Sequence, residues 1–311
     1  MQERAATHTL PPVSLPPVFI LGITRRSGTN YLADLLRLHP ATTTREPIHE
    51  DHLVQRAHHL RRYVEATTNS WSEAWGVDRA AEQATLWRAL GDAIVGFLTA
   101  GAGDRRVVTK TPSVENLDLY PALFPTCPLI VLVRDGRSVV ESSVRSFDIS
   151  YESASRDWAA AGQRILDFDA RHRGSDLPYR IVRYEDLLDD PVATLTGLLT
   201  FCGLDPAAYD FDAARSLPVR GSSTVRDQGP GKVHWAPVER TETFRPKERW
   251  TDWDAYRHER FARVAGEVQR RLGYDGAAGT GAGLRGRARH VVDDAAWAAR
   301  SVRRRYFLRR P

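Results

Sequence analysis

The stretch Val18-Phe19-Ile20-Leu21-Gly22-Ile23-Thr24-Arg25-Arg26-Ser27-Gly28-Thr29-Asn30-Tyr31-Leu32 constrains the fold more than any other. An apolar run ends at Gly22, a polar turn holds Arg25, Arg26, Ser27, Gly28 and Thr29, and Tyr31, Leu32, Leu35 and Leu36 then recur at helical spacing. A strand, a Gly-bounded turn and a helix in that order aim backbone N–H groups at an anion. The donors here are the N–H groups of Ser27, Gly28, Thr29 and Asn30, reinforced by the helix dipole. The loop is not a Walker A motif: Gly22 and Gly28 are five residues apart instead of four, and Thr29 stands where the Lys belongs. Arg26 supplies positive charge from inside the turn. The Lys and Ser/Thr pair that reaches a γ-phosphate and Mg²⁺ is missing, and no apolar strand ends in an acidic metal ligand, so metal-dependent phosphoryl transfer is disfavoured. An ordinary tight turn is the other reading of this segment taken alone.

Strand and helix patterns alternate along the rest of the chain. Strands are expected at Val18–Gly22, Thr42–Thr44, 107–110, Leu129–Val133 and 179–182, and helices at 28–39, 51–66, 80–100, 137–147, 152–171, 191–201 and 254–272. Pro40 stops the first helix. The run Leu129-Ile130-Val131-Leu132-Val133 has no polar alternation and reads as a central parallel strand buried on both faces. The pattern predicts an α/β fold, a central parallel sheet flanked by helices on both sides. Residues 217–250 are rich in Gly and Pro and form a long loop, which in a compact chain is functional or disordered.

Charge is unevenly spread. Residues from Arg285 onward hold nine Arg and two Asp, so the +5 of the whole chain leaves a net −2 on the 284 residues before them. The body is therefore no basic nucleic-acid-binding surface. The basic tail reads as a solvated, partly docked helix, or as a contact for a membrane surface or an acidic partner. The N-terminus carries Pro11, Pro12, Pro16 and Pro17 in place of an apolar signal core, and no apolar run is long enough to span a bilayer. Cys127 and Cys202 lack CxxC spacing and read as buried reduced thiols. A cytoplasmic protein is expected. Its parts are an extended N-terminal arm (1–16), one domain (17–275) and a basic, partly helical tail (276–311).

A second anion site follows the central strand. Arg134 sits at the carboxyl end of that strand, where α/β folds bind ligands. Ser138 and Ser142 are four apart and share one side of the following helix. A guanidinium at a strand end with a hydroxyl one turn into the helix can hold a phosphate; an Arg134–Asp135 ion pair is the plainer alternative. Two cradles on one sheet imply a ligand phosphorylated at two positions.

Together these segments resemble the sulfotransferases that use 3′-phosphoadenosine 5′-phosphosulfate (PAPS). Arg26-Ser27-Gly28-Thr29 is similar to their 5′-phosphosulfate loop, Arg134 with Ser142 to their 3′-phosphate site, and Tyr184-Glu185-Asp186-Leu187 to a segment whose Tyr lies near that phosphate. The resemblance covers residues 18–250 and implies a three-layer, P-loop-like fold. The branch containing the tyrosylprotein sulfotransferases and bacterial relatives is the most similar. It places a Glu six residues past a His-Pro pair, here His39-Pro40 and Glu46, and a Lys before Thr/Asp-Pro, here Lys110-Thr111-Pro112. The resemblance implies donor-binding roles for Arg25, Arg26, Ser27, Gly28, Thr29, Asn30, Tyr31, Arg134, Ser142 and Tyr184. In residues 220–250, which close over the nucleotide in relatives, it adds Ser222, Ser223 and Trp250.

Sulfuryl transfer needs an activated oxygen nucleophile, an in-line sulfur and charge stabilisation on the leaving phosphate. Glu46 is expected as general base, with burial raising its basicity. Lys110 neutralises the departing oxygen and Arg26 the sulfonate or 5′-phosphate. An ion pair with Arg45 or Arg25 is the plain alternative for Glu46, and His49 is the runner-up base. His49, His52, His58 and His59 otherwise read as surface or core histidines rather than a metal site. The expected activity is transfer of a sulfuryl group from PAPS to an acceptor hydroxyl on a small metabolite, glycan or natural product, without a metal. A kinase-like phosphotransferase and a non-catalytic nucleotide-binding protein are the rivals.

Overall fold

The computed structural model describes residues 15–218, 247, 249–275 and 284–307. Five strands, β1 (Val18–Gly22), β2 (Thr42–Thr43), β3 (Arg106–Thr111), β4 (Leu129–Val133) and β5 (Tyr179–Arg183), form one sheet in the order β2-β3-β1-β4-β5. Every pairing is parallel. Among the described residues the helices are α1 (Thr29–Arg37), α2 (His58–Asn69), α3 (Arg79–Thr99), α4 (Tyr120–Leu123), α5 (Gly136–Phe147), α6 (Tyr151–His172), α7 (Asp186–Asp189), α8 (Pro191–Phe201), α9 (Phe211–Arg215), α10 (Ala255–Arg271) and α11 (Leu284–Phe307).

The unbroken apolar runs of β1 and β4 are explained by cover on both faces. Phe19, Leu21, Leu129, Val131 and Val133 pack into one core with residues of α4, α5, α6 and α10. Val18, Ile20, Ile130 and Leu132 turn to the other side, against Leu32, Leu35 and Leu36 of α1 and Leu195, Leu198 and Leu199 of α8. All ten residues of the two strands are buried, each apolar side chain stabilising the fold by roughly 1.5–3 kcal/mol. The fold is the expected three-layer α/β architecture.

Register decides where the site lies. Ile20 pairs with Lys110 and Gly22 with Leu132, so β1, β3 and β4 end together and their exits meet on one edge. Chain order reverses about β1, with β3 on one side and β4 on the other, which is the crevice where open parallel sheets bind ligands.

One expectation is corrected here. The helix predicted over 51–66 begins only at His58. Asp51 instead accepts hydrogen bonds from Thr109 (2.6 Å) and Thr111 (2.9 Å) on β3, and its N–H donates to the Lys110 carbonyl (3.1 Å). Side-chain bonding to a neighbouring strand outcompetes helix initiation there. The helix of the basic tail, α11, is docked through its acids. Asp294 accepts from Arg156 (2.9 Å), Arg260 (2.7 Å) and Arg263 (3.0 Å), and Asp293 accepts from the Tyr256 hydroxyl. Cys127 and Cys202 are buried and unbridged, and burial pushes both thiols up to about 12.

Candidate active site

The loop after β1 has the geometry of an anion cradle. Arg26 and Gly28 both hold positive φ, 73° and 100°. A Cβ on Gly28 would overlap the Tyr184 ring, and one on Gly22 would overlap Ser27 Oγ and Thr29 Cγ2, so both positions need glycine for close approach, and Gly28 for its backbone conformation as well. α1 starts at Thr29 with no side-chain cap, leaving the dipole end of the helix open toward the turn. Ser27 Oγ is buried and lacks a hydrogen-bond partner in the described protein, which fits a ligand oxygen in the turn. The Tyr31 ring is buried edge-on to Tyr184, with centroids 6.1 Å apart.

The second cradle is joined to the first. Arg134 is buried, donates to the Arg26 carbonyl (2.8 Å) and lies over the Tyr184 ring (4.5 Å). The neighbouring carboxylate Asp135 takes Arg137 instead, at 2.5 Å, and caps the Arg137 N–H at 2.8 Å. The alternative Arg134–Asp135 pair is thus displaced. Ser142 accepts from Arg26 Nε (3.0 Å) and Arg249 Nη1 (3.3 Å). Three guanidiniums therefore lie close together, two of them on one serine hydroxyl. Burial, then the charges of Arg249 and Arg134, pushes Arg26 down to about 10. Burial, then Arg134, pushes Arg249 down to about 10, partly offset by Tyr184 and Glu141. Such a cluster favours an anion of more than one charge.

The start of α5 contributes no open helix terminus to this site. The Gly136 N–H donates to Gln269 Oε1 (3.0 Å), and Asp135 covers Arg137. Ser138 is likewise committed: its hydroxyl donates to the Lys247 carbonyl at 2.7 Å, fastening the segment that carries Arg249. Trp250 has Arg137 over its ring at 3.9 Å and His258 edge-on, so one face is filled by protein. Ser222 and Ser223 lie outside the described residues.

On the other side of the loop the strand ends frame a cavity of about 730 Å³. Thr24, Arg25, Glu50, His52, Pro112 and Phe147 are among its walls. Arg25 is exposed and lies over the Phe147 ring at 4.6 Å, facing this cavity. A second cavity of about 490 Å³ shares Glu115 and Arg164 with the first, extending the space along α6 past Asp167 to Arg171.

Lys110 sits at the end of β3 with its side chain 11% exposed, 3.1 Å from Glu50 Oε1. Burial lowers its pKa, opposed by the Glu50 charge. Glu46 departs from the expectation of burial. Its side chain is 60% exposed, accepts from Thr44 Oγ1 (2.8 Å) and meets Arg37 at 3.4 Å, outside the cavity walls. Arg45 points elsewhere, donating to the Ala100 carbonyl at 2.9 Å. The turn after β2 carries Glu46 to the surface of α1, which explains the difference. His49 is exposed as well, and no group of three metal-ligating side chains is assembled among the described residues.

Sequence reasoning overlooked two residues here. Glu50 gave no local signal, because its partner is 60 residues away. Arg249 stands directly before Trp250 but was not singled out; its basic charge beside a Trp was the available signal.

The fold and site define a parallel α/β protein with a polyanion site at the carboxyl edge of its sheet. The model of the sulfotransferase family matches residues 16–208, and the chain belongs to that family. Over 165 residues it is 27% identical to protein-tyrosine sulfotransferase A of Caenorhabditis elegans, covering 49% of this chain and 41% of the relative. The chain thus spans about two-fifths of the length of that relative. Among solved structures it is similar to the sulfotransferase domain of the Synechococcus PCC 7002 olefin synthase, at 28% identity, 71% of this chain, 84% of that one and a TM-score of 0.45. It is also similar to the sulfotransferase domain from the curacin biosynthetic pathway, at 21% identity, 84% of this chain, 99% of that one and a TM-score of 0.46.

Proposed function

We propose that the protein transfers a sulfuryl group from PAPS to the hydroxyl of a small metabolite, glycan or natural product. The observation that carries this reading is a cluster of three guanidiniums, with Arg26 and Arg249 on the Ser142 hydroxyl and Arg134 on the Arg26 carbonyl, beside a glycine-shaped loop at a helix start. One anion suits the loop, and a second suits the guanidiniums behind it; PAPS carries both on one nucleoside. The loop and Arg26 hold the 5′-phosphosulfate. Arg134, Arg249 and Ser142 hold the 3′-phosphate, with Tyr184 stacked against Arg134.

In the reaction the acceptor oxygen attacks sulfur and the bond from sulfur to the bridging oxygen breaks. The products are a sulfate ester and 3′,5′-adenosine bisphosphate (PAP), and the acceptor's proton passes to a base. Lys110, buried at the end of β3, neutralises the departing oxygen. Arg26 offsets charge on the sulfonate or 5′-phosphate. The acceptor occupies the cavity on the Arg25 side of the loop. Arg26 supplies the positive charge of the loop, and the proposed step calls on no bound Mg²⁺.

The experiment is a screen with ³⁵S-labelled PAPS against phenols, sugars, hydroxylated lipids and a tyrosyl peptide, in the presence of EDTA. Label transfer to at least one hydroxyl is expected. ATP-dependent phosphorylation of the same acceptors, with no transfer from PAPS, would overturn the reading. Among the described residues no helix is long and apolar enough to cross a membrane. The basic tail is proposed to keep a free face for a membrane surface or an acidic partner.

A further inference from the structure

We propose that Glu50, and not Glu46, takes the proton from the acceptor hydroxyl. The inference rests on the sulfuryl-transfer reading above and names the missing base of that site. Its foundation is the way residues 50–52 are fastened to the sheet. Asp51 is anchored by Thr109 and Thr111, and the His52 N–H donates to Thr111 Oγ1 at 2.9 Å. Glu50 is thereby held against the end of β3, with its side chain 22% exposed.

Three features of that position suit a base. First, Glu50 Oε1 is 3.1 Å from Lys110 Nζ, the group assigned to the departing oxygen. In an in-line displacement the attacking and departing oxygens sit on opposite sides of one sulfur. A lysine and a carboxylate in contact can bracket that sulfur, each within hydrogen-bond reach of its own oxygen. Second, Glu50 lines the 730 Å³ cavity that opens beside the loop, whereas Glu46 does not. Third, Glu46 is engaged elsewhere, by Thr44 and Arg37 on the outer surface.

Several charged groups surround Glu50. Lys110 reaches it from β3, His52 Nε2 lies 3.6 Å from its Oε2, and Arg25 and Arg56 stand around the cavity. In the step itself the acceptor O–H proton moves to Glu50 as the new S–O bond forms. The electron pair of the broken S–O bond stays with the 5′-phosphate of PAP beside Lys110. Glu50 then releases its proton to water.

The test uses the full chain and hydrolysis of ³⁵S-labelled PAPS, with water as the probe acceptor, alongside calorimetric binding of PAP. Glu50→Gln and Glu50→Ala are expected to slow PAP release by about 10²–10⁴-fold. PAP affinity should stay within about threefold of the parent, which also shows that the variants fold. Added formate should restore Glu50→Ala, because a free carboxylate can fill the vacated place. Glu46→Gln should stay within about threefold in rate. The assignment is overturned if Glu50→Gln turns over like the parent, or if Glu46→Gln carries the loss. It is overturned equally if Glu50→Ala loses PAP affinity with its rate and ignores formate, since that marks a residue that only positions Lys110. A parent protein that binds PAP but releases none from PAPS removes the assignment while sparing the nucleotide site. A parent that does not bind PAP removes the sulfuryl-transfer reading itself.

Discussion

Replacing Arg249 by Met should move stability and affinity in opposite directions. Arg249 is one of three clustered guanidiniums, and burial with the Arg134 charge pushes it down to about 10. A folded-state pKa below the unfolded value means the charged side chain opposes folding at neutral pH. That opposition is fully present below about pH 10 and is relieved as pH rises from there toward the unfolded value. The displacement corresponds to ~3 kcal/mol. Met keeps the length and apolar stem but removes the charge. It also loses the 3.3 Å hydrogen bond to Ser142, worth about 1 kcal/mol. Arg26, relieved of its first-named charged neighbour, gains as well. The net expectation is a free protein more stable by about 1–2 kcal/mol, or a Tm higher by roughly 2–8 °C. PAP binding should weaken by about 10–100-fold, the worth of one charge-assisted hydrogen bond. Thermal melts with and without saturating PAP read both quantities at once: the free Tm rises while the PAP-induced increment shrinks. A free protein that is destabilised and binds PAP normally would refute the idea that these arginines are assembled for an anion.

Two further substitutions probe the loop and the tail. Gly28→Ala should cost roughly 1–2 kcal/mol from its left-handed backbone alone, with added overlap against Tyr184; a melt and a PAP titration should both show losses. For Asp294, hydrogen bonds from Arg260 and Arg263 hold the carboxyl down at about 2. Its contribution to docking α11 is present above the unfolded carboxylate value and is lost as pH falls toward 2. Hydrogen exchange of α11 should therefore rise over that acid window in the parent, whereas Asp294→Asn should already exchange faster at pH 7 and show a flatter acid response.

Much of the fold was readable because its central strands advertise themselves. Leu129–Val133 and Val18–Gly22 are apolar at every position except the final Gly22, a pattern only a doubly covered parallel strand requires. The loop was readable for the related reason that backbone geometry is local: Gly28 and its helix lie within one segment. Residues whose meaning depends on distant partners were harder. Glu46 carried a recognisable spacing from Pro40, yet the turn after β2 delivers it to Arg37 on the surface. Glu50 carried none, and acquires a role only when Asp51 binds Thr109 and Thr111 on a strand almost sixty residues away. The same bonds explain why the helical spacing over 51–57 was misleading. Arg134 and Ser142 were read as one site from their spacing, whereas their shared contact with Arg26, through its carbonyl and its Nε, is a tertiary fact.

The central claim is that one site holds two phosphate positions of a single nucleotide. Calorimetric titration of PAP, adenosine 5′-monophosphate and adenosine 3′-monophosphate into the full-length protein tests it most directly. The account predicts that PAP binds at least about 100-fold more tightly than either monophosphate, since each phosphate adds charge-assisted hydrogen bonds of roughly 1.5–3 kcal/mol. Equal affinity for PAP and adenosine 5′-monophosphate would contradict it, leaving the Arg26, Arg134 and Arg249 cluster without its second phosphate.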